Sequence, residues 1–564
     1  MTVRTLRERI FHALALLTSI AVIGAAVTAC GHTGPPTITY VVDARLDTYN
    51  ANTVDGNAGG ALMATTRLLP GFSYLGAQGQ VTPDRDLGTV TPVAGQSLTL
   101  RYDINPEARF SDGHAFGCEN LVLAWAAMSG RVPGGFLPAT TAGYRDIEKV
   151  DCIPGARTAT VTFAPGRAYA DWLSLFGAGT MLPVHVVGDI AGVGDVVGAI
   201  RGGDRVALTK IAEAWNTGFA LTPGALDKAR FPSSGPYRID SYSKTDGLVL
   251  VANEKWWGDA PTTSRIVIRG SDAQQRMPSG GFDVADVTGG ITTGEVAAPD
   301  GSKQPLPVPN RALAVESIVL ARSGELADVR ARAAFASCVP RDALARQFGQ
   351  GAQMWNLRVL APADNLAGQL NSSFGAAYAR PDLARTRQLV ADTAGTRTGP
   401  LTVRIGYLAP TPRWQQMVAA ITESCARAGL RVVDAGSADI TPGALRRDVD
   451  ALIVASGSSF AAAGAANPSR DAYQLYGGDP LDLDGYSDPT VSAAIDQLVV
   501  SDLAADRLAL VRTIEDAAWA QLPSIPLFAA PRIQRWSKRM DNVVPGLGRN
   551  GTGWNMDRWG THGK

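Results

Sequence analysis

Five cysteines and five histidines are the side chains of this 564-residue sequence best suited to nucleophilic, redox or metal chemistry. Cys30 directly follows Val27-Thr28-Ala29, so small residues precede a thiol. That order suits a peptidase cut before the cysteine and a sulfur that then carries a diacylglycerol. Cys118, Cys152, Cys338 and Cys425 remain, and no two of them lie within a few residues of each other. Zinc sites usually need such a close ligand pair, so no metal is expected. In an oxidising compartment four thiols form disulfides, with three pairings open. His114 follows a turn and His185 follows Leu182-Pro183-Val184, but neither has a partner motif. The sequence has no His-Glu-x-x-His, no Gly-x-Ser-x-Gly elbow and no Gly-x-x-x-x-Gly-Lys-Ser/Thr loop. Each of those motifs places a nucleophile, metal or phosphate by a defined local geometry. The expectation is a chain that is no enzyme and has no cofactor.

The N-terminus sets the compartment. Arg4, Arg7 and Arg9 precede an apolar stretch from Ile10 to Val27. This basic–apolar–small order reads as an export signal over residues 1–29. Val27-Thr28-Ala29-Cys30 resembles the bacterial lipobox, which implies lipidation at Cys30 and a Gly/Pro tether over 30–36. More than one acyl chain on the cysteine makes such anchoring stable. No later apolar run is long enough to cross a bilayer. The expected location is therefore the extracytoplasmic face of the plasma membrane, held there by lipid. Basic and acidic residues balance at 52 each, without the clustered Lys/Arg of a nucleic-acid surface.

With 45% hydrophobic and 18% charged residues, the chain can fill the core of more than one domain. The alternation in Thr37–Val42 predicts a first strand, followed by a polar loop through Thr53. A small-residue helix is expected over Asn57–Leu69. Farther on, helices are expected over Ala333–Leu344, Pro381–Thr393 and Arg413–Ala428, and strands over Thr402–Tyr407, Arg431–Val433 and Asp450–Ala455. Such alternation suits a mixed α/β unit.

One segment carries a resemblance. Arg109-Phe110-Ser111-Asp112-Gly113 closes a strand, and Cys118-Glu119-Asn120-Leu121-Val122-Leu123-Ala124-Trp125 opens a helix. Further pieces follow in order: Ser234-Gly235-Pro236-Tyr237, Asn253-Glu254-Lys255-Trp256-Trp257-Gly258, Gly281-Phe282-Asp283-Val284, Asp328–Phe335 with Pro340-Arg341-Asp342, and Ile525-Pro526-Leu527-Phe528. Together they resemble family 5 of the bacterial extracellular solute-binding proteins, the peptide, opine and nickel receptors of ABC importers. The members most resembled are actinobacterial, specifically mycobacterial, lipoproteins.

The resemblance implies an α/β, two-lobed periplasmic-binding-protein-like fold of the large peptide-binding type. Lobe I would span 37–310, with an extra subdomain at about 61–187. Lobe II would span 311–525, and 526–564 would return to lobe I. The nearest-neighbour cysteine pairing, Cys118–Cys152 and Cys338–Cys425, keeps each bridge inside one of these units. The implied partners are a peptide or other small solute, an ABC permease and its ATPase. A monomer is the family's usual state. A second reading stays open: some mycobacterial lipoproteins of similar fold are implicated in cell-envelope mannolipid biosynthesis.

Ligand-site expectations also follow from the resemblance. Peptide-binding relatives hold the ligand's amine with an Asp shortly before an Asp-Pro pair. Here the pair is Asp479-Pro480, and the expected position falls at Tyr476. A desolvated ammonium needs a paired anion, so a free amine is not expected to be the main recognition element. Asp479 itself is the substitute candidate. Tyr49, Asn50, Asn52 and Thr53 follow the first strand, where the family approaches ligand. Arg413 suits a carboxylate or phosphate, and Trp414, Tyr473 and Tyr476 suit stacking.

Overall fold

A computed structural model describes residues 36–271, 281–288, 312–393, 399–457, 459–460 and 468–562; Cys30 and its signal lie outside them. In the strand Thr37–Val42 the alternate residues Ile38, Tyr40 and Val42 are fully buried. That strand sits inside a six-stranded sheet, pairing in parallel with Arg265–Arg269 on one side and Val284–Thr288 on the other. Tyr237–Ser243 and Gly247–Ala252 extend one edge, and Arg532–Trp536 closes the other. A separate four-stranded antiparallel sheet, Gly88–Val93, Thr99–Ile104, Thr158–Phe163 and Ile147–Cys152, forms the core of the subdomain that lobe I carries.

The second lobe is built on a five-stranded mixed sheet, in the order Arg431–Asp434, Thr402–Gly406, Ala451–Val454, Val315–Leu320, Ser524–Ala529. Three features differ from expectation. Ser524–Ala529 pairs antiparallel with Val315–Leu320, so Ile525–Phe528 still belong to the second sheet. The chain re-enters the first sheet only at Arg532, and the backbone N–H of Ala530 donates to the Ala314 carbonyl at this crossing. The expected helix over 57–69 is two short ones, Val54–Ala58 and Leu62–Thr65. Gly59-Gly60 separates them, with Gly60 at φ 73°, a left-handed conformation that glycine tolerates. The helix expected over 333–344 is likewise two, Val329–Cys338 and Arg341–Phe348. Pro340 divides them, because it lacks the N–H that a continuous helix needs.

Both disulfides form as the nearest-neighbour pairing, Cys118–Cys152 and Cys338–Cys425. The first ties the helix Glu119–Met128 to the edge strand of the subdomain sheet. The second joins the end of Val329–Cys338 to the end of the helix Pro412–Ala426.

The lobes touch at several places. Asn57 Nδ2 donates to the Gly457 carbonyl (2.8 Å), and the N–H of Phe460 donates to the Ala58 carbonyl. On the subdomain, Thr141 donates through N–H and Oγ1 to Asp479, at 2.9 and 2.7 Å. Arg167 bridges Asp146 of the subdomain and Asp496 of the second lobe, each at 2.8 Å. The N–H of Ala170 donates to the Val499 carbonyl.

Candidate functional site

These contacts frame a cavity of about 140 Å³ that opens to solvent. Most of its wall comes from the first lobe and its subdomain, including Leu62, Leu75, Val81, Met128, Tyr169 and Leu175. The second lobe contributes Arg470, and the C-terminal segment contributes Arg549 and Asn550. The wall is largely apolar or small. Its charged members are the two arginines, and among the described residues no carboxylate lines it.

Three local devices place the polar groups. Thr53 caps the helix Val54–Ala58 by accepting from the Gly56 N–H, and that helix carries Asn57. Arg470 and Asp471 lie on the one-turn helix Pro468–Asp471. Arg549 and Asn550 depend on a buried cluster at the C-terminal crossing. There Asp286 accepts from Arg532 Nε and Nη2 (2.6 and 2.7 Å) and from the N–H and Oγ1 of Thr552. Gly551 follows at φ 63°, and a Cβ there would press on Met63, Asp286 and Tyr40. The turn therefore requires glycine. Asn550 donates to the Leu75 carbonyl at 2.7 Å, which holds the segment against the subdomain.

The arginines meet at Asn57, whose Oδ1 accepts from Arg470 Nη2 (3.1 Å) and Arg549 Nη2 (2.6 Å). Asp471 stands behind them, with Arg470 Nη1 3.8 Å from its Oδ1. Burial pushes the Asp471 carboxyl up to about 7, against the pull of Arg470 and Arg549. Burial, and then the Arg470 charge, draw Arg549 well below the usual guanidinium range. Burial also lowers Arg470, although Asp471 opposes it. Such an arrangement presents N–H donors and guanidinium groups at the cavity wall.

Of the residues expected at the ligand, Asn52 lines this cavity and donates to the Gly179 carbonyl. The others lie elsewhere, for physical reasons. Tyr49 is in the first-lobe core, packed on Phe219 and Phe231 with its hydroxyl donating to the Pro232 carbonyl. Asn50 is buried and donates to the Trp215 carbonyl. Arg413 forms a buried ion pair with Glu316, which also accepts from Trp414 Nε1. Tyr473 stacks on Tyr476, and Arg145 lies 4.2 Å over the latter ring. Asp479 is engaged by Thr141 at the lobe contact. Thr53 is consumed as the helix cap.

Asn57, Arg470, Arg549 and Asn550 were not anticipated. The available signal was charge in segments that need none for a solvated helix face. Arg470 lies among Ala, Gly and Ser, and Arg549 lies in Gly546-Leu547-Gly548-Arg549-Asn550-Gly551.

Away from the cavity wall, Asp112, His114 and His185 bring three ligand atoms within 4.8 Å of one another on the surface. His185 Nε2 lies 2.8 Å from Asp112, and the two imidazoles stack at 4.1 Å. Asp112 also caps the Ser111-Asp112-Gly113 turn by accepting from the His114 N–H, which accounts for this cluster without an ion.

Comparisons with known proteins agree with this geometry. Residues 93–463 match the family described as bacterial extracellular solute-binding proteins, family 5 Middle. A protein named "Uncharacterized lipoprotein Rv2585c" from Mycobacterium tuberculosis is 40% identical over 552 residues, covering 96% of each chain. Among solved structures, a periplasmic EDTA-binding protein, EppA, superposes with a TM-score of 0.72 at 17% identity, over 94% of this chain and 97% of that one. An oligopeptide-binding protein from Thermus thermophilus, solved with a pentapeptide, gives 0.72 at 16% identity, over 93% and 96%. At these identities the structural matches establish a shared two-lobed fold.

Proposed function

This chain belongs to family 5 of the bacterial extracellular solute-binding proteins, and we propose that it is the lipid-anchored receptor of an ABC importer, holding a peptide-like or other small solute between its lobes. The observation that carries the reading is the cavity whose wall unites subdomain, C-terminal segment and second lobe. Closure around a guest is the working motion of two-lobed binders of this kind. Because Arg470 belongs to the second lobe, Arg549 to the C-terminal segment, and both bond Asn57, a guest touching both favours the closed state by its differential contacts. The relatives bearing lipoprotein names and the Val27-Thr28-Ala29-Cys30 sequence support anchoring at Cys30. The solutes named for the structural neighbours, a pentapeptide and EDTA among them, support a small-molecule guest without selecting one.

The test is native mass spectrometry of the full chain purified in mild detergent from its own cells. The expected result is a noncovalently held small solute, released on unfolding, together with co-purifying permease. Turnover of a solute by the purified protein would refute the receptor reading. A bound glycolipid without permease would favour the envelope-biosynthesis reading, to which Tyr476 in the place of an amine-binding acid lends support.

A further inference from the structure

The turn at Ser111-Asp112-Gly113 brings a carboxylate and two imidazoles together on the surface of the first lobe. Asp112 and His185 lie 73 residues apart in the chain. Both segments are held firmly. The Phe110 N–H donates to the His114 carbonyl (2.8 Å) and the Gly113 N–H to the Phe110 carbonyl (2.9 Å), so the turn is closed by its own backbone. His185 sits in the first turn of the helix Val184–Ala191, whose Val184 N–H donates to Asn120 Oδ1 at 3.1 Å. The Phe110 ring packs edge-on against His185 at 5.2 Å. The cluster thus stands assembled before any ion arrives, and groups fixed in advance lose little freedom on binding.

Distances decide what such a cluster takes. Ligand atoms about 2.0–2.1 Å from a zinc ion at tetrahedral angles stand roughly 3.3 Å apart. His114 Nδ1 lies 3.4 Å from Asp112 Oδ1, and His185 Nε2 lies 2.8 Å from Asp112 Oδ2. The two rings stack at 4.1 Å with planes 13° apart, and parallel lone pairs do not meet at one point. One ring must turn. The His114 side chain is 62% exposed and has room to do so, while that of His185, at 18%, keeps its seat.

Charge points the same way. Among the described residues the ion-pair partners of Asp112 are these two histidines, with no Lys or Arg beside them. Asp189, one helical turn past His185, adds a negative charge on the same face. Imidazole is the commonest metal ligand in proteins and suits Zn2+, Cu2+ and Ni2+, whereas Mg2+ and Ca2+ take oxygen shells.

We propose that Asp112, His114 and His185 form a surface site for one divalent transition-metal ion, outside the interlobe cavity. The ion clips the turn after Phe110 to the helix Val184–Ala191. The assignment is independent of what the cavity holds.

The test uses the full chain without a polyhistidine tag, in mild detergent, freed of metal on a chelating resin. Zn2+ is titrated calorimetrically at neutral pH in excess Mg2+. The expected result is one Zn2+ per chain. His114→Ala, at an exposed position, should fold as the parent does and bind at least about tenfold more weakly, the scale on which metal sites respond to a lost group. Asp112→Asn keeps an acceptor for the His114 N–H and should weaken binding by a similar factor. His32→Ala combined with His562→Ala, the other histidines beyond the export signal, should leave binding unchanged. Excess Zn2+ should raise the melting temperature of the parent and not that of His114→Ala. Diethyl pyrocarbonate should modify His114 in the metal-free chain and spare it in the loaded one.

Binding to the parent no tighter than to His114→Ala overturns the site. So does binding that survives Asp112→Asn, or that disappears with His32 and His562.

Discussion

Asp471 offers the most quantitative handle on the site. It is 3% exposed, and burial pushes its carboxyl up to about 7, only partly opposed by Arg470 and Arg549. In an unfolded chain an Asp titrates near about 3.9. Below that value both states hold the proton and the group is neutral in the stability balance. As the pH rises, the unfolded chain releases its proton first, so stability falls steadily until the folded carboxyl also ionises. The difference of about three pH units, at 1.36 kcal/mol each, amounts to about 4 kcal/mol at pH 8. Asp471→Asn removes the titration and keeps the size of the protonated acid. The expected result is that parent and variant melt together near pH 4 and diverge as the pH rises. The variant should be the more stable by about 4 kcal/mol at pH 8. Thermal unfolding from pH 4 to 8, followed by tryptophan fluorescence, reads the difference directly. Parallel melting curves, or a variant less stable than the parent at pH 8, would show that Asp471 is a satisfied counter-ion to Arg470 and Arg549.

Three further outcomes follow from particular contacts. Glu316→Gln strips the anion from buried Arg413 and should destabilise the second lobe by about 3–5 kcal/mol, seen as a lower melting temperature. Asp479→Ala removes the single oxygen that accepts both Thr141 bonds and should shift the protein toward a more open form, read as a larger radius of gyration by small-angle scattering; an unchanged radius would mean that the other lobe contacts suffice. Non-reducing peptide mapping should recover Cys118–Cys152 and Cys338–Cys425, and reducing either bridge should cost about 4 kcal/mol from the loop lengths of 34 and 87 residues.

Much of the fold was legible because it rests on local rules. The alternation of Thr37–Val42 marks a strand wherever it packs, and the Asp112-Gly113 turn needs only its own residues. Where two local rules competed, the reading slipped. The small residues from Asn57 onward suited a helix, but Gly59-Gly60 broke it, and Pro340 divided another. Ile525–Phe528 read correctly as a strand, yet its sheet was misassigned, because a buried apolar strand does not encode which neighbour it will pair with.

By itself the sequence determined the export-signal pattern, the even set of four thiols left once Cys30 is set aside, much of the succession of strands and helices and the resemblance to a family. Each of these depends on residues close together or on a pattern repeated along the chain. Which polar side chains meet in the cavity was decided only by the tertiary structure. Asn57, Arg470 and Arg549 lie in three separate segments, and the small-residue surroundings of the two arginines do not say which residue they will meet. Their meaning comes from burial and from a shared acceptor, and both exist only once the two lobes and the C-terminal segment have come together.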